Sequence, residues 1–426
     1  MTTPATSSVL ETPSSHLLRF QEALESVYGS ISTIKNPETW TPPPNSGGHR
    51  GRYLWTDAFG VLNLITLSRA QEQLKIKESQ MQSQSDAQPS SRAQLPSNYF
   101  AESDKYLTLA RRLVETVHDV LGWTRDGRSR LPGATDSNPL GGGLRIGKMD
   151  ERGPDGDGQY HHYLTIWMFA LNRLSLATKD PKYNRQAVEL AKAIHPRFFV
   201  NRKSDRPRMV WKMKMDLSAP LVASEGNLDP IDGYVIFRLL QATAAAQSIS
   251  DGVGAADGLG QDGEGGVLQE EISDYKRVMQ RKGEHFVSTD PLDLGMTLWT
   301  VHWFSEREEW AARIAGRCFE QIYNLMEINR FLERPIKYRL AFREFGTCLG
   351  ILCHSEQEST KQRAIDLKVY ADAIIRAWDP YMDLSLSSGL TDDDLRPINR
   401  VMYASALIPG AFRRGYLGPE PQAMAK

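Results

Sequence analysis

Two short stretches concentrate the side chains able to do chemistry. The first, residues 141–162, reads GGGLRIGKMDERGPDGDGQYHH. Its glycines let the backbone come close to a ligand. Arg145 and Lys148 supply cations, Asp155 and Asp157 supply carboxylates, and Tyr160, His161 and His162 open a predicted helix. The second stretch, residues 211–233, reads WKMKMDLSAPLVASEGNLDPIDG. It crowds Glu225, Asn227, Asp229 and Asp232 ahead of an apolar helix, with Trp211 and Lys212 just upstream. Oxygen donors at this density suit Mg2+, which takes carboxylates and keeps several waters. The same acids suit general acid–base work. Helix capping competes with both, because Asp157, Asp229 and Asp232 each stand where a helix N-terminus needs an acceptor, and Pro230 fits a first turn. Capping explains one acid of the second stretch but not all of them.

Two further acidic groups carry less. Asp392–Asp394 precede a helix, where negative charge favours the dipole, and read as structural. Asp290 and Asp293 read the same way and lead into LWTVHWF at 298–304, whose Trp299, His302 and Trp303 form an aromatic stripe that fits a core better than a cavity wall. The GGG run has no Gly-Lys-Ser/Thr ending, and nucleophile-elbow, His-Glu-x-x-His, dinucleotide-binding and kinase patterns do not occur. Cys318, Cys348 and Cys353 lack Cys-x-x-Cys spacing, which argues against a disulfide framework or a structural zinc.

The elements that must position these residues are helices. Tyr160, Leu164, Trp167, Met168, Leu171 and Leu174 recur at helical spacing, with Asp157 as the expected N-cap. Similar periodicity covers about 16–29, 56–76, 101–122, 183–197, 231–248, 268–282, 290–304, 306–329, 338–353, 361–378 and 395–409. Strand signals are scarce, and 207–215 is the best candidate for a short ribbon. About twelve helices in consecutive antiparallel hairpins, without a solenoid's fixed repeat, predict an all-α single domain, an (α/α)6 toroid of about six helical hairpins. That domain spans 15–416, between tails at 1–14 and 417–426, with low-complexity inserts at 77–98 and 250–267 that bury too little to offset their ordering entropy.

Bulk composition narrows the partners. The 426 residues carry 51 Lys plus Arg against 52 Asp plus Glu, a formal charge of −1, so no net field draws the chain to nucleic acid. No apolar run approaches the roughly 18 residues of a membrane helix, and the N-terminus lacks the basic and apolar regions of a secretion signal. A cytoplasmic protein acting on a small molecule is expected.

The strings GLRIGK at 143–148, DGQYHHYLTIWM at 157–168, WKM at 211–213 and DPIDG at 229–233 resemble a large family of six-hairpin, glycosidase-like proteins over most of the chain outside the inserts. Within its fungal branch the chain resembles the α-humulene synthases of tropolone-sesquiterpenoid pathways, which lack the usual terpene-synthase signatures. The resemblance implies a Mg2+-dependent sesquiterpene cyclase acting on an isoprenoid diphosphate, farnesyl diphosphate. Under that reading Asp155, Asp157, Glu225, Asp229 and Asp232 supply metal ligands, while Arg145 and Lys148 hold the diphosphate. Lys212, Tyr160 and Trp211 are the catalytic candidates, and Trp167, Trp299 and Trp303 shape the prenyl chain by apolar contact and cation–π attraction. The alternative is a carbohydrate-active enzyme, a glycoside hydrolase or lyase, that uses two of the same acids as a carboxylate pair.

Overall fold

The structure is a computed structural model and describes residues 13–44, 51–83, 102–153, 155–250, 266–281, 283–382 and 395–422. Twelve α-helices dominate these residues: α1 (Pro13–Tyr28), α2 (Leu54–Ser83), α3 (Glu102–Leu121), α4 (His161–Thr178), α5 (Pro181–Phe198), α6 (Asp229–Ser250), α7 (Gln269–Arg281), α8 (Pro291–Val301), α9 (Glu309–Tyr323), α10 (Ala341–Cys353), α11 (Lys361–Met382) and α12 (Arg396–Leu407). The all-α class expected from periodicity therefore stands. Most of the two inserts, and the Asp392–Asp394 cluster, lie outside the described residues; positions 77–83 of the first insert continue α2.

Burial sorts the helices into two kinds. In α4 every residue from Leu164 to Ser175 is buried, so it has no solvent face and belongs inside. In α9 the buried set is Ala311, Ile314, Ala315, Cys318, Phe319 and Ile322, the one-sided spacing of a helix with water on its other side. The contacts follow the same division. The even-numbered helices pack in succession, α2 on α4, α4 on α6, α6 on α8, α8 on α10 and α10 on α12, and α12 returns to α2. Odd-numbered helices lie against them, α3 on α2, α5 on α4, α7 on α6, α9 on α8 and α11 on α10; α1 packs chiefly on α12. The α8–α10 crossing is tight because Gly295 faces Gly346 and Gly350, where a Cβ would run into the partner backbone.

Turn chemistry joins the pairs. Lys179 ends α4 in the left-handed region (φ 57°), and the Asp180 side chain accepts from Lys182 N at 2.9 Å to start α5 at Pro181. Each large apolar side chain buried along these faces contributes about 1.5–3 kcal/mol. Cys318, Cys348 and Cys353 are free and buried among them.

The predicted ribbon at 207–215 does not form as one piece. It splits into β3 (Arg208–Met209), antiparallel to β2 (Phe199–Val200), and β4 (Lys212–Met213), antiparallel to β1 (Gln159–Tyr160). The two residues between them switch partner: Val210 N donates to Phe198 O, and Trp211 O accepts from His161 N, both at 2.9 Å. Among the described residues no helix is long and apolar enough to cross a membrane.

Candidate functional site

The β1–β4 ladder sets Tyr160 opposite Lys212 and so joins the two polar stretches that the sequence keeps about fifty residues apart. Gln159 secures the junction from below. Its Oε1 accepts from Leu144 N at 3.0 Å, and its Nε2 donates to Gly142 O at 2.8 Å and Met215 O at 2.7 Å. Gly143, at φ +75°, lies where a Cβ would strike that amide.

Above the ladder opens a cavity of about 640 Å3. Its wall draws on the N-terminal end of every even-numbered helix: Tyr53 and Trp55 at α2, His162 and Tyr163 at α4, Asp229 at α6, Leu292 and Asp293 at α8, Phe342 and Arg343 at α10, Leu395 and Ile398 at α12. Aromatic rings pack edge-to-face around it. Tyr160 stands 5.8 Å from Trp211 and 5.5 Å from Tyr163, while Trp55 lies tilted, 5.1 Å from Tyr163. Two ammonium groups overlie this wall. Lys212 Nζ is 4.7 Å from the Tyr160 centroid and 4.5 Å from that of Trp211, and Lys148 Nζ is 5.7 Å from Tyr160. Burial, reinforced by repulsion from Lys212 and opposed by Asp155, lowers the Lys148 pKa.

The acids in this cavity are each answered by a base or an amide. Asp155, exposed at the mouth, meets Lys212 Nζ at 3.0 Å, and that contact holds its carboxyl below the usual range. Glu225 lies 3.5 Å from Arg281. Asp290 caps α8 through Leu292 N at 2.8 Å and pairs with Arg343. Asp293 accepts from Asn227 Nδ2 at 3.2 Å and Ser288 Oγ at 3.0 Å, and burial pushes its carboxyl up. Asp229 is buried between two imidazoles, with Oδ1 3.3 Å from the Nδ1 of both His161 and His162. Burial opposes its ionisation, yet hydrogen bonding to the two imidazoles outweighs this and holds its carboxyl below the ordinary range.

Seven of the sequence candidates therefore meet in one cavity: Lys148, Asp155, Tyr160, Trp211, Lys212, Glu225 and Asp229. The others stand elsewhere, for identifiable reasons. Asp157 does not cap α4, whose N-cap position is Tyr160 without a side-chain cap. Its buried carboxylate instead accepts from Arg125 and Arg145 Nη1 at 2.9 and 3.0 Å, and from Gly147 N and Gly158 N at 2.9 and 3.1 Å. Arg145, with no exposed side chain, also donates to Trp123 O and Val120 O. Both residues organise the loop and lie outside the lining of this cavity. Asp232 is buried, accepts from Thr300 Oγ1 at 2.8 Å, and has its carboxyl pushed well up by burial. Trp167, Trp299 and Trp303 are core side chains: Trp167 Nε1 donates to His118 Nε2 at 3.1 Å, Trp299 Nε1 donates to Phe412 O at 3.1 Å, and Trp303 stacks under the Arg173 guanidinium.

Sequence reasoning missed Tyr53, Trp55, Tyr163, Phe342 and Arg343. The available signal was positional, since Tyr163, Phe342 and Arg343 sit within the first residues of predicted helices, as Tyr160 and His162 do, and Tyr53 and Trp55 lie just ahead of one. Among the described residues no three His, Cys, Asp or Glu side chains converge on a common metal position. The donors fit Mg2+ in a more limited way, because that ion is commonly held by one or two carboxylates plus substrate phosphates and water. Asp155 and Glu225 border the cavity next to Lys212 and Trp211 and are the carboxylates that would hold the ion. In comparisons with known proteins, no family model, no curated protein and no solved structure matches the chain.

Proposed function

We propose that the chain is a toroid of six helical hairpins that cyclises farnesyl diphosphate to a hydrocarbon such as α-humulene, with Mg2+ as cofactor. The closed succession of even-numbered helices, each backed by an odd-numbered one, supports the toroid. One observation carries the reaction. The N-termini of six helices open onto a single aromatic-walled cavity that also holds two lysines. Helix N-termini favour negative charge, and the rings favour a hydrocarbon chain and any cation formed on it. An apolar diphosphate ester combines those two needs. The volume, about 640 Å3, is within the span of small-molecule sites, roughly 300–1,000 Å3.

Lys148 and Lys212 bind the diphosphate and neutralise the charge that grows on its leaving oxygen as the C1–O bond breaks. The bonding pair departs with the diphosphate and leaves an allylic cation. The faces of Tyr160, Trp211 and Trp55 hold that cation while a distal double bond attacks it and closes the ring. Asp155 and Glu225 would hold Mg2+ together with substrate phosphates, and the ion would supply Lewis-acid neutralisation of the same leaving group.

A specific observation favours a second reading. Asp229 is held ionised and Asp293 is pushed towards its protonated form in one aromatic cavity, the division of roles a carboxylate pair uses on a sugar. One experiment separates the two. The protein is incubated with farnesyl diphosphate, with Mg2+ or with EDTA, and the organic extract is analysed by gas chromatography–mass spectrometry. A cyclic hydrocarbon that needs Mg2+ is the expected result. No product from this or from the ten- and twenty-carbon diphosphates sinks the cyclase and leaves the carboxylate pair.

A further inference from the structure

We propose that His162 is the base that ends the reaction, taking the proton lost by the last carbocation on Nε2 while Asp229 holds its Nδ1. This rests on the cyclase reading above. His162 stands in the first turn of α4, lines the cavity and keeps 18% of its side chain exposed. Its ring lies 5.7 Å from Trp211 and 5.9 Å from Trp55, so a cation resting on those faces has an imidazole at its side.

The neighbouring residue shows what an inert histidine looks like here. His161 reaches the same Asp229 oxygen at 3.3 Å, but it has no exposed side chain, and its Nε2 meets Tyr275 Oη at 2.7 Å. One step along a helix turns a side chain by about 100°, which puts His161 into the core and His162 on the cavity. An ionised Asp229 fixes the proton of His162 on Nδ1, and Nε2, on the opposite edge of the ring, keeps its lone pair. Other basic atoms of the wall are less suited. Asp155, Glu225 and Asp290 face Lys212, Arg281 and Arg343.

The step balances without a further reactant. A C–H bond next to the cationic carbon breaks, its electron pair becomes the new double bond, and the proton binds Nε2. The resulting imidazolium is stabilised by Asp229 and returns the proton to water or to the departing diphosphate. Asp229 is a positioning residue in this scheme, and His162 the catalytic one.

The test uses the full chain with farnesyl diphosphate and Mg2+, and reads diphosphate release together with the hydrocarbon-to-alcohol ratio. His162→Gln should lower that ratio by about a hundredfold, the lower end of what a positioned base contributes, as water captures cations that are no longer deprotonated. Asp229→Asn should move the ratio in the same direction by less, a shift that loss of packing alone would not produce. If His162→Gln does not accumulate, His162→Phe keeps a flat ring against Trp211 and decides the matter by the same ratio. An unchanged ratio in a variant that still releases diphosphate overturns the assignment of the base and leaves the cyclase intact. A wild-type protein that releases no diphosphate overturns the cyclase, and the base with it.

Discussion

Replacing Asp157 with alanine should destabilise the fold far more than a loop substitution normally does. The Asp157 carboxylate is buried and takes hydrogen bonds from two arginines and from the Gly147 and Gly158 amides, at 2.9–3.1 Å. Arg145 has no solvent exposure, so removing its anion leaves a buried guanidinium short of a partner. Breaking a buried pair from one side costs about 3–5 kcal/mol, a large part of the 5–15 kcal/mol that holds a typical domain together. Equilibrium unfolding in guanidinium chloride reads the loss as a lowered midpoint at unchanged slope. Arg145→Met supplies the control. If the orphaned charge is the cause, the Asp157→Ala/Arg145→Met pair is less destabilised than the sum of the two single changes. A loss under about 1 kcal/mol, or simple additivity, would show that water reaches Arg145 and that the carboxylate does not organise the loop.

Other outcomes follow from the same contacts. Lys148→Ala and Lys212→Ala should each lower turnover of farnesyl diphosphate by about 10²–10³-fold, and inorganic diphosphate should raise the melting temperature of the wild type more than that of the double variant; equal shifts would remove the lysines from the site. Trp299→Ala should cost about 3–5 kcal/mol in unfolding experiments and leave the product unchanged, whereas Trp211→Ala should alter the product, and a reversal of that pattern would exchange core for cavity. Acid should weaken the fold through its buried histidines. Burial lowers the His118 pKa to about 3 and the His354 pKa to about 4, against an ordinary value of 6.5. The unfolded chain therefore binds protons that the folded chain refuses, and stability falls as pH drops from about 6.5 towards 4, by about 1.4 kcal/mol per unit for each histidine. His354→Gln should flatten the denaturation-midpoint curve over that window by one histidine's share, and an unchanged slope would refute the assignment.

Helices were legible because periodicity is a local signal repeated over several turns. The stretches predicted near 183–197, 231–248 and 361–378 correspond to α5, α6 and α11, displaced by a few residues at their ends. Interior helices such as α4 announce themselves by burial on all sides, which a run like LTIWMFAL writes directly. The tasks of the acids were not legible, since an aspartate before a helix looks alike whether it caps, pairs or faces a ligand. Asp290 caps α8, Asp157 pairs with Arg125 and Arg145, and Asp229 divides one oxygen between two imidazoles. What decides among them is the partner brought in from far along the chain, and Arg125 lies thirty-two positions from Asp157. The tryptophans failed for a related reason. Trp299 and Trp303 have the composition of a cavity wall, but Trp299 sits past the middle of α8 and Trp303 beyond its C-terminal end, both away from the N-terminal end that meets the cavity.

On the cyclase reading proposed above, the distribution of charge lets a cavity with five carboxylates receive an anion. Asp155, Glu225 and Asp290 face Lys212, Arg281 and Arg343, Asp229 lies against two histidines, and Asp293 is pushed towards its neutral form. Compensated in this way, the acids leave the field of the cavity to Lys148 and to six helix N-termini, each favouring negative charge by about 0.3–1 kcal/mol. A neutral sugar gains nothing from that field. A diphosphate does, and it gains more as water is excluded, because the same charges act more strongly in a low-dielectric site. The acids have local work: Asp155 meets Lys212 over the rings, Asp290 caps α8 and pairs with Arg343, and Asp229 lies against His162. On this view the carboxylates set the positions of the groups that meet the substrate, and the helix ends and lysines set its charge.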